Sequence, residues 1–235
     1  MGFETEEELK NFIFNTGCFD KIENEKIYER FFRGSIERNK RLRYFVDLEA
    51  KNVLDVGCSY GNWLIHFPQD SMGVEIQPKM IQFARSLGLK VISANVEDVI
   101  PIESSSFDIV HCRDVLEHFV APHKVLREIY RVLRDNGKVV IGVPNMDSPL
   151  LKGWKATSHL YSYNKKSLSF LLERSGFRVI RAFVMGRRLP NVLSFLIYEK
   201  LLPGRAFNLN VVAHKEPDFK YHSKKLDIFT PSWMK

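Results

Sequence analysis

The sequence predicts one α/β domain, in which a mostly parallel, seven-stranded sheet carries helices on both faces behind a helical N-terminal cap. After Lys51, short runs rich in Val and Ile alternate with amphipathic stretches of helical length, a pattern typical of βαβ units. A chain of 235 residues with 45% hydrophobic residues can bury one sizeable core but is short for two independent domains.

The expected elements follow the chain in order. A helical cap is expected over residues 1–50, because apolar residues recur at helical spacing among charged residues from Asn24 to Asp47. The cap belongs to the same domain as the core, expected over 51–216, and a basic C-terminal tail is expected over 217–235. Strands are expected at Asn52–Val56, Met72–Ile76, Lys90–Ser93, Phe107–Cys112, Lys138–Val143, Phe177–Val184 and Phe207–Ala213. Helices are expected at Asn62–His66, Pro78–Leu87, Pro122–Leu133, Lys165–Ser175 and Asn191–Leu202.

Composition excludes several classes of protein. The longest apolar stretch, Val192–Tyr198, is too short to cross a bilayer, and the acidic first residues argue against a secretory signal. The three cysteines, Cys18, Cys58 and Cys112, are an odd number without the CxxC spacing of a zinc site. Neither a disulfide framework nor a four-cysteine metal site is therefore expected, and we expect a cytoplasmic protein.

The net charge of +7 is unevenly distributed along the chain. Residues 151–235 hold sixteen basic against five acidic residues, whereas the preceding segments are slightly acidic. This basic excess could attract an anionic substrate, a nucleic acid or an acidic membrane surface, or it could simply keep the surface soluble. The sequence leaves these alternatives, and the oligomeric state, open.

The strongest chemical signal is the run VLDVGCSYGNW, Val53 to Trp63, in which a buried strand leads through a glycine-bearing turn into a helix. Gly57 and Gly61 would let the backbone approach a ligand closely, and the helix start offers N–H groups to its polar parts. The spacing matches neither the dinucleotide fingerprint nor a P-loop, and a tight turn without a ligand would also need glycine. Glu75, about twenty residues further on at the end of the next strand, can accept hydrogen bonds from both hydroxyls of a ribose.

Five runs, VLDVGCSYG, GVEIQP, ANVEDV, FDIVHCRDVLEHF and GKVVIGVPN, resemble in this order and spacing the class I S-adenosylmethionine-dependent methyltransferases. The resemblance spans about residues 50–145 and implies a Rossmann-like sheet. A further run, HLYSYNKKSLSFLLERSGF from His159 to Phe177, resembles the segment before the sixth strand of small-molecule methyltransferases related to the ubiquinone-biosynthesis O-methyltransferases. Two positions depart from the pattern: Ser59 stands where the turn usually has glycine, and Asn95 where aspartate is common.

The resemblance implies that the chain binds S-adenosyl-L-methionine and releases S-adenosyl-L-homocysteine. The turn residues would line the methionine part of this cofactor, Glu75 its ribose, and Asn95 with Val96 its adenine. Cys112 and Arg113, at the end of the fourth strand, would lie beside the methionine carboxylate and the sulfonium. The full set of cofactor-binding residues implied in this way is Asp55, Gly57, Cys58, Gly61, Glu75, Ile76, Asn95, Val96, Cys112 and Arg113.

Methyl transfer from a sulfonium requires an acceptor atom aligned behind the methyl carbon, and an oxygen or nitrogen acceptor can also need a base. His118 is the first candidate for this base, because an imidazole titrates near neutral pH, and His159 and Tyr161 are the second. In the ubiquinone-pathway relatives, the positions matching Asp114, Glu117 and His118 have been associated with a divalent cation. We expect no metal here, with Glu117 and His118 capping or orienting a helix instead.

The expected acceptor is a small or carrier-linked molecule, including anionic and glycan- or lipid-linked ones, and the expected methylated atom is oxygen. The apolar stretch Val192–Tyr198 with its basic neighbours would also suit peripheral contact with a membrane. An RNA-directed methyltransferase is the first alternative, supported by the sequence pI of about 9.2, although no nucleic-acid-binding module is recognisable. A non-catalytic S-adenosylmethionine-binding scaffold is the second alternative.

Overall fold

A computed structural model describes residues 2–48, 51–148, 158–185 and 207–219 of the chain. Its α-helices are α1 (Glu6–Phe14), α2 (Lys21–Ile27), α3 (Ser35–Phe45), α4 (Pro78–Ser86), α5 (Pro122–Val132) and α6 (Lys165–Arg174). Its strands are β1 (Val53–Val56), β2 (Met72–Glu75), β3 (Val91–Ser93), β4 (Phe107–Arg113), β5 (Leu133–Pro144), β6 (Phe177–Met185) and β7 (Asn208–Lys215). All seven expected strands are therefore confirmed, with ends that differ by one to a few residues.

The seven strands form one sheet in the order β3-β2-β1-β4-β5-β7-β6. β1 to β5 pair in parallel, whereas β7 runs antiparallel to both of its neighbours, β5 and β6. The expected mostly parallel sheet is thus confirmed. The strand order reverses between β1 and β4, and open α/β sheets bind their ligands at the carboxyl ends of the strands beside such a reversal.

The central strands are buried on both faces, which explains their composition. In β4, Val110 and Cys112 pack into an apolar cluster with residues of α5 and α6, while Ile109 packs into a second cluster with residues of α4. A strand that is covered on both sides must be apolar at almost every position. This requirement is why these strands stand out in the sequence as short runs of Val and Ile.

The N-terminal helices pack against α4 and the turn that follows β1. A third apolar cluster joins Phe32 of the cap to Tyr60 and Phe83 of the core. The rings of Phe31 and Tyr60 lie 4.7 Å apart, centroid to centroid. The cap therefore packs directly against the turn that follows β1.

The single helix expected from Asn24 to Asp47 is wrong, because the structure divides this segment. α2 ends in a π-helical stretch at Tyr28–Phe32, and Gly34 then takes a φ of 74° before α3 begins. Such a left-handed conformation ends a helix and is readily available only to glycine. The separate helix α1 begins at a capping box in which Thr5 and Glu8 exchange hydrogen bonds.

The helix expected at Asn62–His66 is only a 3₁₀ turn at Leu64–His66. Phe67 follows in an extended conformation and precedes Pro68, and the residue before a proline is disfavoured in helices. The short apolar run thus ends before it can complete an α-helix.

β5 begins at Leu133 rather than at the expected Lys138. Its pairing with β4 is irregular between Phe107 and Ile109, so Asp135–Gly137, which has the composition of a turn, is accommodated within the strand. The expected helix at Asn191–Leu202 and residues 220–235 of the expected tail lie outside the described residues. Within the part of the chain that the structure describes, no helix combines the length and apolar character that a bilayer crossing requires.

Candidate active site

The turn after β1 is built around Gly57, whose φ is 70°. The N–H groups of Gly57 and Cys58 donate to the Val74 carbonyl at 2.8 and 3.1 Å, which binds the turn to β2. A Cβ atom at Gly57 would lie 2.6 Å from Val115, and one at Gly61 would lie 2.4 Å from a leucine side chain. Both glycines of the motif are therefore required by the packing and the backbone conformation.

Glu75 closes this turn from the end of β2. Its carboxylate accepts hydrogen bonds from the N–H groups of Ser59 at 2.9 Å, Ile76 at 2.8 Å and Gln77 at 3.0 Å. Ser59 itself has a φ of 52°, so a serine occupies the left-handed position where the family usually has glycine. The structure thus brings Glu75 and the turn into direct contact, as their spacing predicted, and leaves Ile76 exposed beside them.

The loop after β3 forms the next wall of the site. Asn95 is exposed; its amide donates to Asp98 at 3.0 Å and its oxygen accepts from the Glu97 N–H at 3.1 Å. Val96 is buried, and the Glu97 carboxylate accepts from the Ala121 N–H at 2.7 Å. These bonds connect the loop after β3 to the loop after β4.

A buried acid and a buried imidazole lie below the turn. Nδ1 of His111 is 2.7 Å from Oδ1 of Asp55, and both residues are buried. The His111 ring packs between Trp63 and Phe67, with centroid distances of 5.0 and 5.3 Å. The second carboxylate oxygen of Asp55 is buried and has no partner among the described residues. Burial also raises the pKa of the nearby Cys58 thiol, which therefore stays neutral.

At the end of β4, Cys112 and Arg113 differ in what they offer a ligand. Cys112 is fully buried, and burial raises the pKa of its thiol. The Arg113 guanidinium donates to the Asn210 side chain at 2.7 Å and lies 5.1 Å from the ring centre of Trp63. Its Nε is also 3.4 Å from the carboxylate of Asp114. The charged group of Arg113 is thus engaged within the protein.

Two histidines meet beside the loop after β4. The Nδ1 atom of His118 is 2.9 Å from the carbonyl oxygen of Ser158. The rings of His118 and His159 lie 4.7 Å apart at an angle of 78°. Burial, and then the neighbouring His118, lower the pKa of His159. The Tyr161 hydroxyl donates to a backbone carbonyl in the loop after β4 at 3.0 Å.

Glu117 lies beneath these rings. Its backbone carbonyl accepts from the N–H groups of Leu160 and Tyr161 at 2.8 and 3.2 Å, and its Oε1 is 3.9 Å from Nε2 of His159. Burial raises the pKa of the Glu117 carboxyl to about 8. Tyr163 is also buried, and burial, with contributions from Tyr161 and Glu117, raises the pKa of its hydroxyl.

Among the described residues, Glu117, His118 and His159 could hold a metal ion, because their ligand atoms all lie within 4.8 Å of one another. Two imidazoles and a carboxylate are a donor set that divalent transition metals accept. Asp114, the third member of the set considered from the sequence, does not join this group. Its φ is 53° and its half-exposed carboxylate lies beside Arg113, so its place is taken by His159.

The sequence did not identify Tyr163 or His111 as residues of this region. His111 has an apolar neighbourhood in the sequence, and nothing local indicates its bond to Asp55. Tyr163 lies in a polar stretch that leads into α6, where a tyrosine gives no local signal of burial. In the sequence, the pair Glu117–His118 after β4 and the second candidates His159 and Tyr161 pointed to this region.

The chain is similar to known proteins in sequence and in fold. The model of a methyltransferase-domain family matches residues 27–182. An uncharacterized protein of Methanocaldococcus jannaschii is 31% identical over 68% of this chain and 76% of its own length. The ubiquinone biosynthesis O-methyltransferase of Xanthomonas oryzae is 31% identical over 43% of this chain and 46% of its own length. The chain thus spans less than half of the latter relative.

A solved structure shares the fold. A SAM-dependent methyltransferase from Thermotoga maritima superposes with a TM-score of 0.63 over 85% of this chain and 98% of its own, at 21% identity. The match to the family covers more than half of the chain and includes every strand of the parallel part of the sheet. The chain therefore belongs to the S-adenosylmethionine-dependent methyltransferases.

Proposed function

We propose that this methyltransferase transfers a methyl group to an oxygen atom of a small or carrier-linked acceptor, and that His118 accepts the proton which this oxygen loses. The observation that carries the proposal is the hydrogen bond of His118 Nδ1 with the Ser158 carbonyl oxygen. Because a carbonyl only accepts, the neutral ring carries its proton on Nδ1 and keeps the lone pair of Nε2 for a substrate proton. The name of the Xanthomonas relative, an O-methyltransferase, supports oxygen as the acceptor atom.

The proposed cofactor site follows the carboxyl ends of β1, β2 and β4. The buried Asp55 oxygen that lacks a partner among the described residues suits the ammonium group of the methionine part, since a buried acceptor without a donor is costly. Glu75 suits the two ribose hydroxyls from the end of β2. Gly57, Cys58 and Gly61 would contribute backbone to the methionine part.

The remaining assignments concern the adenine and the sulfonium. The exposed side chain of Ile76 offers an apolar surface to the adenine ring, and Asn95 with the backbone of Val96 would meet its polar edge. Cys112 and Arg113 would border the sulfonium. For Arg113 the proposal is limited to the backbone, because its guanidinium is engaged by Asn210.

When bound, S-adenosylmethionine supplies an electrophilic methyl group on a sulfonium. The chain's own part is to align the acceptor, exclude water and hold the released proton. The carboxyl group of Glu117 lies in the same cluster as His118. His159 and Tyr161, which border the same space, are the second choice for the base.

Methylation of RNA is the second candidate, favoured by the excess of basic residues in 151–235. A non-catalytic role in binding S-adenosylmethionine is the third. Transfer of a labelled methyl group to RNA distinguishes the second candidate from the proposed function, and cofactor binding without any transfer distinguishes the third.

The cofactor part is tested by calorimetric titration with S-adenosylmethionine and S-adenosylhomocysteine, with NAD as the negative control. We expect micromolar affinity for both sulfur compounds and a loss of about tenfold or more in Glu75→Ala, since charge-assisted hydrogen bonds would be removed. Binding of neither compound, or equal binding by the variant, contradicts the proposed site.

The acceptor part is tested with labelled S-adenosylmethionine against hydroxylated small molecules, carrier-linked molecules and RNA. His118→Ala should lower turnover by about 10² to 10⁴ while cofactor affinity is unchanged. His214→Ala is the matched control. His214 Nδ1 also donates to a backbone carbonyl, that of Asn136 at 3.2 Å, but it lies near the amino end of β5, away from the proposed site. If the label appears in RNA alone, the acceptor is RNA and not a small molecule. If His118→Ala turns over at the normal rate, His118 is not the base.

A further inference from the structure

Asp55 and His111 form a buried polar pair at the place where the strand order of the sheet reverses. The two residues are register partners on the neighbouring strands β1 and β4. Each is only 2% exposed, and Nδ1 of His111 lies 2.7 Å from Oδ1 of Asp55. Open α/β sheets bind their ligands beside such a reversal, so the pair lies next to the proposed cofactor site.

The pair uses only one of the two carboxylate oxygens of Asp55. A carboxylate only accepts hydrogen bonds, so Nδ1 of His111 donates to Oδ1 of Asp55. The other oxygen, Oδ2, is buried and has no hydrogen-bond partner among the described residues. Proteins pair almost all of their buried polar atoms, and an oxygen of a charged group is costly to leave unpaired. An ammonium group at Oδ2 would supply both the missing donor and the opposite charge.

Aromatic neighbours hold the ring of His111 in place. Its centroid lies 5.0 Å from that of Trp63 and 5.3 Å from that of Phe67, with interplanar angles of 49° and 77°. Trp63 is itself packed on the guanidinium of Arg113, at 5.1 Å from the ring centre. A side chain whose rotamer is locked by packing can hold a functional group in a fixed orientation. The hydrogen bond from His111 therefore limits the rotation of the Asp55 carboxylate and fixes the direction in which Oδ2 points.

On its other side, Asp55 has no side chain that could take over this role. Its register partner on β2 is Gly73, where a Cβ atom would lie 2.5 Å from Sγ of Cys58. The space beside Gly73 is thus occupied by a buried thiol. Burial raises the pKa of this thiol, so Cys58 stays uncharged and makes no ion pair with Asp55. Among the residues that the structure describes, His111 is the side chain that hydrogen-bonds the Asp55 carboxylate.

Building on the proposed function, we propose that His111 is a positioning residue for the cofactor, because its hydrogen bond orients the Asp55 carboxylate so that Oδ2 meets the ammonium group of S-adenosylmethionine. His111 acts through Asp55 and does not touch the cofactor. The pair thereby selects ligands that carry an ammonium group on the methionine part. This selection is lost when either the charge of Asp55 or its orientation by His111 is removed.

The positioning role is tested by calorimetric titration with S-adenosylhomocysteine and with its deaminated analogue, which keeps the carboxylate but lacks the ammonium group. Wild type should prefer S-adenosylhomocysteine by about tenfold or more, because the analogue leaves Oδ2 of Asp55 unpaired. His111→Leu should retain a preference of less than about threefold. His111→Asn should keep the wild-type preference, because its amide can donate from the place of Nδ1. A merely structural role of His111 would weaken both ligands alike, and an unchanged preference in His111→Leu overturns the proposal.

Two further variants separate this inference from the proposed function. Asp55→Asn removes the charge that the ammonium group would meet, so it should bind the two ligands within about threefold of one another. If Asp55→Asn keeps the wild-type preference, the proposed ammonium site is wrong, and the role of His111 fails with it. If Asp55→Asn loses the preference but His111→Leu keeps it, only the role of His111 is wrong. His66→Leu is the matched control and should keep the preference, because His66 is also buried but is bonded to Ser35, at 2.8 Å.

Wild type offers a second readout, which does not depend on the folding of His111→Leu. The proton on Nδ1 of His111 lies in a buried hydrogen bond and should give a resolved NMR signal at low field, which His111→Asn identifies by its loss. S-adenosylhomocysteine should shift this signal more than the deaminated analogue does, because an ammonium group at Oδ2 draws on the same carboxylate. Equal shifts with the two ligands overturn the proposal.

Discussion

The buried carboxyl of Glu117 should make the protein less stable as the pH rises, and Glu117→Gln should reverse this effect. Burial raises the pKa of this group from 4.5 to about 8 in the folded protein. Between these pH values the unfolded chain has released the proton that the folded protein still holds. The folded state therefore binds more protons than the unfolded state, and its stability falls as the pH increases through this window.

The size of the effect follows from the pKa difference. One pKa unit corresponds to about 1.36 kcal/mol, so a pKa raised from 4.5 to about 8 corresponds to an upper limit of about 5 kcal/mol above pH 8. Local rearrangement around the ionised carboxylate reduces this limit, and we expect about 2–4 kcal/mol. Glutamine has nearly the same shape and cannot ionise, so Glu117→Gln should recover this amount at high pH and little at pH 5.

Urea denaturation at pH 5, 7 and 9, in buffer with a chelator, measures the difference in unfolding free energy between wild type and Glu117→Gln. The matched control is Glu128→Gln. Burial disfavours the ionised form of Glu128, but its bonds to Arg131 and to the Ile100 N–H lower its pKa. Its removal should therefore destabilise the protein by a similar amount at all three pH values. A Glu117→Gln variant that is destabilised, or whose stability difference does not change with pH, would refute the assignment of Glu117 as a buried carboxyl that lacks a hydrogen-bond partner among the described residues.

Two further predictions concern acid stability and the cofactor turn. Burial, followed by the charges of neighbouring arginines, lowers the pKa of His66 from 6.5 to about 4, so wild type should lose up to about 3 kcal/mol as the pH falls from 6.5 to 4. His66→Gln can keep the hydrogen bond with Ser35, and its unfolding free energy, measured by urea denaturation, should change less between pH 6.5 and pH 4. An equal loss of unfolding free energy in this variant would exclude His66 as the cause of the acid sensitivity. Gly57→Ala should weaken S-adenosylmethionine binding by at least about tenfold in calorimetry, because its Cβ would lie 2.6 Å from Val115 at a φ of 70°. Gly17→Ala, which has a similar φ of 64° but no atom within 4 Å of the added Cβ, should bind the cofactor normally, and equal behaviour of the two variants would contradict the role of the turn.

Much of the fold could be predicted because its determinants are local. A parallel strand that is covered on both faces must be apolar, as in β4, and the helices between such strands show their own periodicity. The contact between the turn and Glu75 was predictable for a related reason, since neighbouring parallel strands end at the same edge of the sheet. The interruption of the cap at Gly34 and the short turn at Leu64–His66 were less predictable, because glycine and proline there compete with an otherwise helical pattern.

The sequence by itself determined the α/β architecture, the methyltransferase family and the glycine-bearing turn after β1, because strand, turn and helix chemistry is encoded over a few neighbouring residues. Only the tertiary structure decided which polar side chains meet beside the loop after β4. His159, and not Asp114, joins Glu117 and His118, and Tyr163, a few residues after His159, is buried. The reason is that hydrogen bonds between residues about forty positions apart fold the segment 158–163 onto the loop after β4. Contacts of this kind have no local pattern in the sequence, although they bring Glu117, His118 and His159 together.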